Sequence, residues 1–529
     1  MTAAEYIVRF LAAQGIRAIF GMPGGHNLPL YDALARQRRI RHILARNEMG
    51  AALMADGYAR ASGEVGACLV TSGPGVTNAL TGVGVAHGDS IPVLLLSSQI
   101  PSAGLGREGG YFHEMDQLPA TAPLTKWNAR AEKAGDVPGV MAEAFRRLRT
   151  GRPRPVHVEV PADVLAQPCH GPVARVPGDA PAPPDPQAVA RATQALAAAE
   201  RPLILAGGGA AGAPRELLAL ATALGAPVLT TAMGKGAIPE AHPLAAGLTW
   251  RDITPDLQDM GPFFSPLLAR ADVLLAVGCR FTQLATGNWT MPRPARLIHV
   301  DVDPAVINRH YAAEVGIAAD ARQALKALRA GLQEGGRARR SRAWAREVAA
   351  ARAARPPARA LARTLRQVLA PDALVVADVV RAAYPFLAEF PVARPRSVMS
   401  SVGFFAMGHG LPGAIGAKLA FPRRQVVALA GDGGFLMTGL ELATAVQENV
   451  PVVCVVVNDG CLTAIRILQD KHYAGRRFAV GLRNPDFAAY ARAFGALGLT
   501  VRRPNDLAPA LHRALRARRP ALVDLRYTP

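Results

Sequence analysis

Between Val426 and Gly460 the chain reads Val426-Val-Ala-Leu-Ala-Gly431-Asp432-Gly433-Gly434, a helix-like stretch to Glu448, then Pro451-Val-Val-Cys-Val-Val-Val457-Asn458-Asp459-Gly460. This is a strand, helix, strand unit with an acidic residue at the tip of each strand. Such a unit keeps its strands parallel, and its right-handed crossover sets their C-terminal ends side by side. Asp432 and Asp459 are therefore expected to converge. The glycines after Asp432 let backbone approach a ligand, and the following helix offers unpaired N–H groups to an anion. Carboxylates, carbonyls and phosphate oxygens around one small space suit a hard divalent cation, most simply Mg²⁺. A lone Gly-Asp-Gly fits an ordinary βαβ turn equally well. The second acidic strand end tips the reading toward a metal-diphosphate clamp.

The rest of the chain repeats the theme. Short apolar strands such as Ala18–Gly21, Ala67–Thr71, Pro92–Ser97, Pro202–Ala206, Val273–Val277 and Leu297–Val300 alternate with Gly-rich turns and Ala/Leu-rich helices. Continuous apolar strands between helices indicate parallel sheets covered on both faces. Gly171–Pro186 and Gly335–Pro357 read as linkers. They divide the 529 residues into blocks 1–170, 187–334 and 358–529. The expectation is an α/β protein of three doubly wound parallel-sheet domains.

Composition excludes several classes. The net charge of +20 comes mostly from arginines scattered through helix-like segments, with a concentration at Arg337–Arg346 and no aromatic-interleaved basic module, so no nucleic acid partner is expected. No apolar run is long enough to span a bilayer. Cys68, Cys169, Cys279, Cys454 and Cys461 form neither a disulfide framework nor a zinc spacing. The first ten residues start an amphipathic helix directly rather than a leader. A cytoplasmic, reducing setting is the expectation.

In the first block, Gly21-Met-Pro23-Gly-Gly25, the helix opening at Glu48, Thr71-Ser-Gly-Pro-Gly-Val-Thr-Asn78 and Gly88-Asp-Ser-Ile-Pro92 follow one another. Taken alone, Glu48 reads as an acidic first-turn residue favoured by the helix dipole. Together with the C-terminal clamp, these segments resemble the thiamine-diphosphate-dependent enzymes, in the branch of the acetolactate synthase large subunit. The resemblance implies that Glu48 is the activating carboxylate, bonded to the cofactor's pyrimidine, with Pro23 and Asn78 nearby. It implies Mg²⁺ ligands at Asp432, Asp459 and the carbonyl of Cys461, with Gly433, Gly434 and Leu462 around the diphosphate. In Ser400–Ala417 it implies that the Phe405 carbonyl takes the amino group and that Met407 wedges between the cofactor rings; a core-filling Met is the plain alternative. At Asp378-Val-Val380-Arg381-Ala382, where acetolactate synthases typically offer Gln-His to the diphosphate, this chain offers Arg381-Ala382, so that Arg381, with Val380 beside it, is the residue expected to pair with phosphate.

Gly207-Gly-Gly209-Ala-Ala-Gly212 satisfies G-x-G-x-x-G, yet no acidic residue follows about 20 positions later to hold a ribose, so NAD is not expected. By resemblance the middle block is where acetolactate synthases hold FAD with a Met-His-Gly loop. Here that region reads Ala246–Asp252, which leaves FAD open.

The implied chemistry is decarboxylation of a 2-oxo acid, with carboligation to a second carbonyl as the leading expectation. His26 and His113 are the candidate proton relays beside the reaction centre, with packing histidines as the alternative; Lys126 and Glu114 match recurrent family positions. Past the metal motif, Leu462–Gln469 places Ala464 and Leu468 where acetolactate synthases carry Met and Trp. That departure keeps open a non-ligating decarboxylase of the benzoylformate or oxalyl-CoA type, the latter resembled at His113–Gln117, and a non-catalytic cofactor binder is the third reading. The family assembles sites between subunits, which implies a homodimer or homotetramer.

Overall fold

The computed structural model describes residues 1–249, 266–334, 342–353 and 358–527. Trp250–Asp252 of the flavin-loop region, and parts of the second linker and its arginine concentration, lie outside the described residues.

The described residues form three six-stranded, all-parallel sheets. The first holds β1 (Ala18–Gly21), β2 (Arg41–Leu44), β3 (Gly66–Val70), β4 (Val93–Gln99), β5 (Trp127–Arg130) and β6 (Val156–Pro161), in the order 2-1-3-4-6-5. The second holds β7 (Pro202–Ala206), β8 (Val228–Thr230), β9 (Ala245–Leu248), β10 (Val273–Val277), β11 (Arg296–Asp301) and β12 (Val315–Ala318), in the order 12-11-10-7-8-9. The third holds β13 (Leu374–Ala377), β14 (Val398–Ser400), β15 (Val426–Gly431), β16 (Val453–Val457), β17 (Leu497–Val501) and β18 (Ala521–Leu525), in the order 14-13-15-16-18-17. The outer two sheets thus share one topology, while the middle one has the 3-2-1-4-5-6 order of dinucleotide-binding folds. The inner strands are buried at residues of either parity because helices cover both faces, whereas the edge strands β2, β5, β12 and β17 keep exposed or half-buried positions.

The first and third domains meet through equivalent helices, Glu48–Ser62 and Gly410–Ala420, whose alanines, Met54, Leu411 and Ile415 share one core. Their backbones approach so closely that a Cβ on Gly57 would overlap the Gly413 carbonyl, and one on Gly416 that of Met54. A buried polar network pins the same contact. Arg60 binds Asp56 at 2.5 Å and Asp89 at 2.8 Å, and His409 meets Asp56 at 2.9 Å. Burial of so many charges is tolerable only because each has a partner.

The first helix, Ala3–Ala13, begins at Thr2 with a Thr2/Glu5 capping box. The stretch after Asp432, read as one helix to Glu448, is two: Asp432–Thr438 and Glu441–Gln447. Glu441 explains the break, since it turns in to accept the amides of Arg46 and Asn47 rather than continuing the first helix axis.

Candidate active site

β15 and β16 are neighbours with Gly431 opposite Val457, so the residues just past them converge as the crossover argument requires. Asp432 is buried and accepts Gly433 N at 2.8 Å, Gly460 N at 2.8 Å and Asn484 Nδ2 at 2.6 Å. The bond from Gly460 ties one strand tip directly to the other. Burial, and then the charge of Asp459 nearby, push the Asp432 carboxyl above its ordinary value, against the pull of those hydrogen bonds. Asp459 takes the Thr463 hydroxyl at 2.6 Å and the Cys461 amide at 3.2 Å. No described residue donates to the Cys461 carbonyl. Asn484, which spans Asp432 and Asn458, keeps a buried Oδ1 without a partner. Two carboxylates, a free carbonyl and an orphaned amide oxygen form a donor set that fits a hard cation. Among the described residues no group of three or more His, Cys, Asp or Glu side chains has metal-holding geometry, so this set relies on carbonyl oxygens.

These residues open onto a cavity of about 590 Å³, lined among others by Val380, Arg381, Phe405, Met407, Asp432, Gly433, Gly434, Asp459, Cys461 and Leu462. A side chain at Gly433 would strike Leu462 and reach Met407, closing the cleft between them. Phe405 adopts φ +58, an uncommon conformation for a bulky residue that turns the loop toward the cavity. Asp378 holds that loop: its buried carboxylate accepts Gly408 N at 3.0 Å and Gly410 N at 3.2 Å, while burial raises its own pKa.

The first-domain candidates gather elsewhere. Glu48, 8% exposed, stands at the start of its helix, capped by Asn47, and accepts Asn78 Nδ2 at 3.0 Å. Pro23, in the exposed turn after β1, leads to His26, whose Nδ1 lies 2.6 Å from the Ser72 hydroxyl. His26 and His113 meet ring edge to face at 5.8 Å. His113 has φ +65 and a buried Nδ1 without a partner. Burial, and then His113, lower the His26 pKa. Glu114 serves its own loop, accepting the Gly109 and Tyr111 amides. Lys126 is structural, donating to the carbonyls of Arg147 and Arg152 at 2.9 Å each.

None of the residues lining the Asp432 cavity comes from the first domain. Sequence reasoning missed Ser72, Asp378, Glu441 and Asn484, whose roles depend on distant partners. A separate cavity of about 360 Å³ lies at the switch point of the middle sheet, bordered by Gly207–Gly209, Arg280, Asp301 and Asp320.

Three family models match: thiamine pyrophosphate enzyme, N-terminal TPP binding domain (residues 1–120), central domain (189–328) and C-terminal TPP binding domain (382–525). The chain is 41% identical to a probable 2-ketoarginine decarboxylase, AruI, of Pseudomonas aeruginosa, covering 98% of this chain and 92% of that protein. It is 36% identical to a probable acetolactate synthase large subunit of Methanocaldococcus jannaschii (100% and 92%) and 35% identical to the acetolactate synthase isozyme 3 large subunit of Escherichia coli (97% and 92%). With two acidic strand tips converging on one cavity, and this similarity along its whole length, the chain belongs to the thiamine pyrophosphate enzymes and is a 2-oxo acid decarboxylase or carboligase.

Proposed function

We propose that the protein decarboxylates a 2-oxo acid bulkier than pyruvate, using thiamine diphosphate and Mg²⁺, and releases an aldehyde. The observation that carries this reading is the His26–His113 pair, two proton-transfer groups in contact beside the Glu48 half-site. Bound thiamine diphosphate would supply the electron sink for decarboxylation. Asp432, Asp459 and the Cys461 carbonyl would hold Mg²⁺, and Gly433, Gly434, Val380, Arg381 and Leu462 would surround the diphosphate. Phe405 and Met407 would orient the rings, and Glu48 would bind the pyrimidine, itself steadied by Asn78. His113 would then move, and His26 hold, the protons that favour release over coupling. The overall change, 2-oxo acid to aldehyde and CO₂, is redox-neutral and needs no flavin.

The similarity to a protein named 2-ketoarginine decarboxylase supports a long substrate, as do Ala464 and Leu468 on the cavity wall, where the acetolactate synthase pattern has the larger Met and Trp. We further propose that two copies complete each site, because exposed Leu436, Met437 and Leu440 follow the Asp432 turn and exposed Leu28 follows His26. No described helix is long and apolar enough to cross a membrane, and we propose a cytoplasmic location on the five unpaired cysteines.

Carboligation is the second reading, favoured by the acetolactate synthase relatives. Purified protein with thiamine diphosphate and Mg²⁺ is incubated with pyruvate, benzoylformate and 5-guanidino-2-oxopentanoate, and products are identified by mass spectrometry. Aldehyde and CO₂ from a bulky acid are expected. A hydroxyketone as the main product would replace the proposal with carboligation.

A further inference from the structure

Ser72 is fully buried at the turn after β3, and the only hydrogen-bond partner of its hydroxyl among the described residues is His26 Nδ1. A buried hydroxyl hydrogen without an acceptor is costly, so the Ser72 O–H is best satisfied by donating to Nδ1. A nitrogen that accepts carries no proton, which leaves the proton of the neutral ring on Nε2. Nε2 sits on the opposite edge of the imidazole, bonds to no described residue and is absent from the buried unpartnered atoms, so it is open to the cleft. We infer that Ser72 is a positioning residue that holds His26 as the Nε2–H tautomer, so that His26 offers a hydrogen-bond donor, not a cation, to the 2-oxo oxygen of the substrate.

A neutral imidazole in this role stabilises negative charge developing on that oxygen without giving up a proton. The surroundings agree. His113 and Phe112 face the ring from the loop before Gln117, Ser72 faces it from the turn, and the charge on His26 is opposed by burial and by His113. His113 is the only titratable neighbour that acts on it among the described residues. Both the ring's donor edge and its neutrality therefore follow from the packing.

The inference rests on the reading of His26 as a reaction-site group, and the test separates the two. Protein labelled with ¹⁵N-histidine, with His26 assigned by difference from His26→Ala, reports the tautomer directly without any turnover. The Nε2–H pattern is expected, and it should weaken or mix in Ser72→Ala. In kinetics with the active 2-oxo acid, Ser72→Ala should lower kcat roughly tenfold with KM little changed, and Ser72→Thr should recover part of the loss. His26→Gln, which keeps an amide N–H near Nε2, should retain more activity than His26→Asn, which reaches only the Nδ1 position. An Nδ1–H tautomer in the wild type, or Ser72→Ala with unchanged kcat, would overturn the inference while leaving His26 at the site. Full activity in His26→Ala would instead overturn the reading on which it rests.

Discussion

The first and third domains are built on one strand order, yet their equivalent strand tips are loaded differently. In the third domain the tips of β15 and β16 carry Asp432 and Asp459; in the first, the tips of β3 and β4 carry Thr71-Ser72-Gly73 and Gln99. Topology supplies the same two convergent loops in both cases. Residue chemistry then sets two carboxylates at one pair of tips, and hydroxyl and amide groups at the other. A shared fold therefore predicts where a ligand can sit, and only the residues at the tips say what it is.

The sharpest way to break this contrast is to make the third domain as neutral as the first. Asp432→Asn should abolish Mg²⁺-dependent binding of thiamine diphosphate, read by calorimetry, and cut turnover by at least roughly 100-fold. Glu48→Gln probes the other half: kcat should fall on the order of 100-fold while cofactor affinity stays within a few-fold, because the group lost handles a proton rather than the diphosphate.

Glu441 sharpens the comparison through pH. It is 1% exposed and reaches from the third domain to the Arg46 and Asn47 amides, just before Glu48. Burial, only partly offset by its hydrogen bonds, pushes its pKa up to about 7. The folded chain thus keeps a proton that the unfolded chain releases near pH 4 to 5, so stability falls as pH rises from there through 7, by about 3 kcal/mol in total. A protonated Glu441 can donate to Thr444, which in turn can donate to Leu44. Glu441→Gln copies that state and should flatten the slope between urea midpoints at pH 5 and pH 8. Smaller again is the effect of Gly57→Ala: a methyl pressed against the Gly413 backbone should cost about 2 kcal/mol, seen as a lower urea midpoint at unchanged m-value.

Much of the fold was legible because it is written locally. Apolar runs mark β7, β10 and β16 within two residues, and Gly431-Asp432-Gly433 and Asn458-Asp459 announce their strand tips. The shared order of the outer sheets was not legible, since strand order is decided by long-range packing. Nor was Asp378, which reads as an ordinary strand-end acid until the Gly408 and Gly410 amides are seen to close on it. Asn484 lies 52 positions from Asp432, and Ser72 lies 46 from His26. No spacing rule joins such pairs, because the sheet brings them together.

The central claim is that each reaction site combines the Glu48 half of one chain with the Asp432 half of another. Glu48→Gln and Asp432→Asn proteins, each inactive alone, are mixed, dissociated and reassociated, and CO₂ release from the active 2-oxo acid is measured. Half of randomly paired dimers are mixed, and each has one intact site, so about a quarter of wild-type activity should return. If the mixture stays as inactive as its parents although mass spectrometry shows mixed dimers, the site lies within one chain and the account is contradicted.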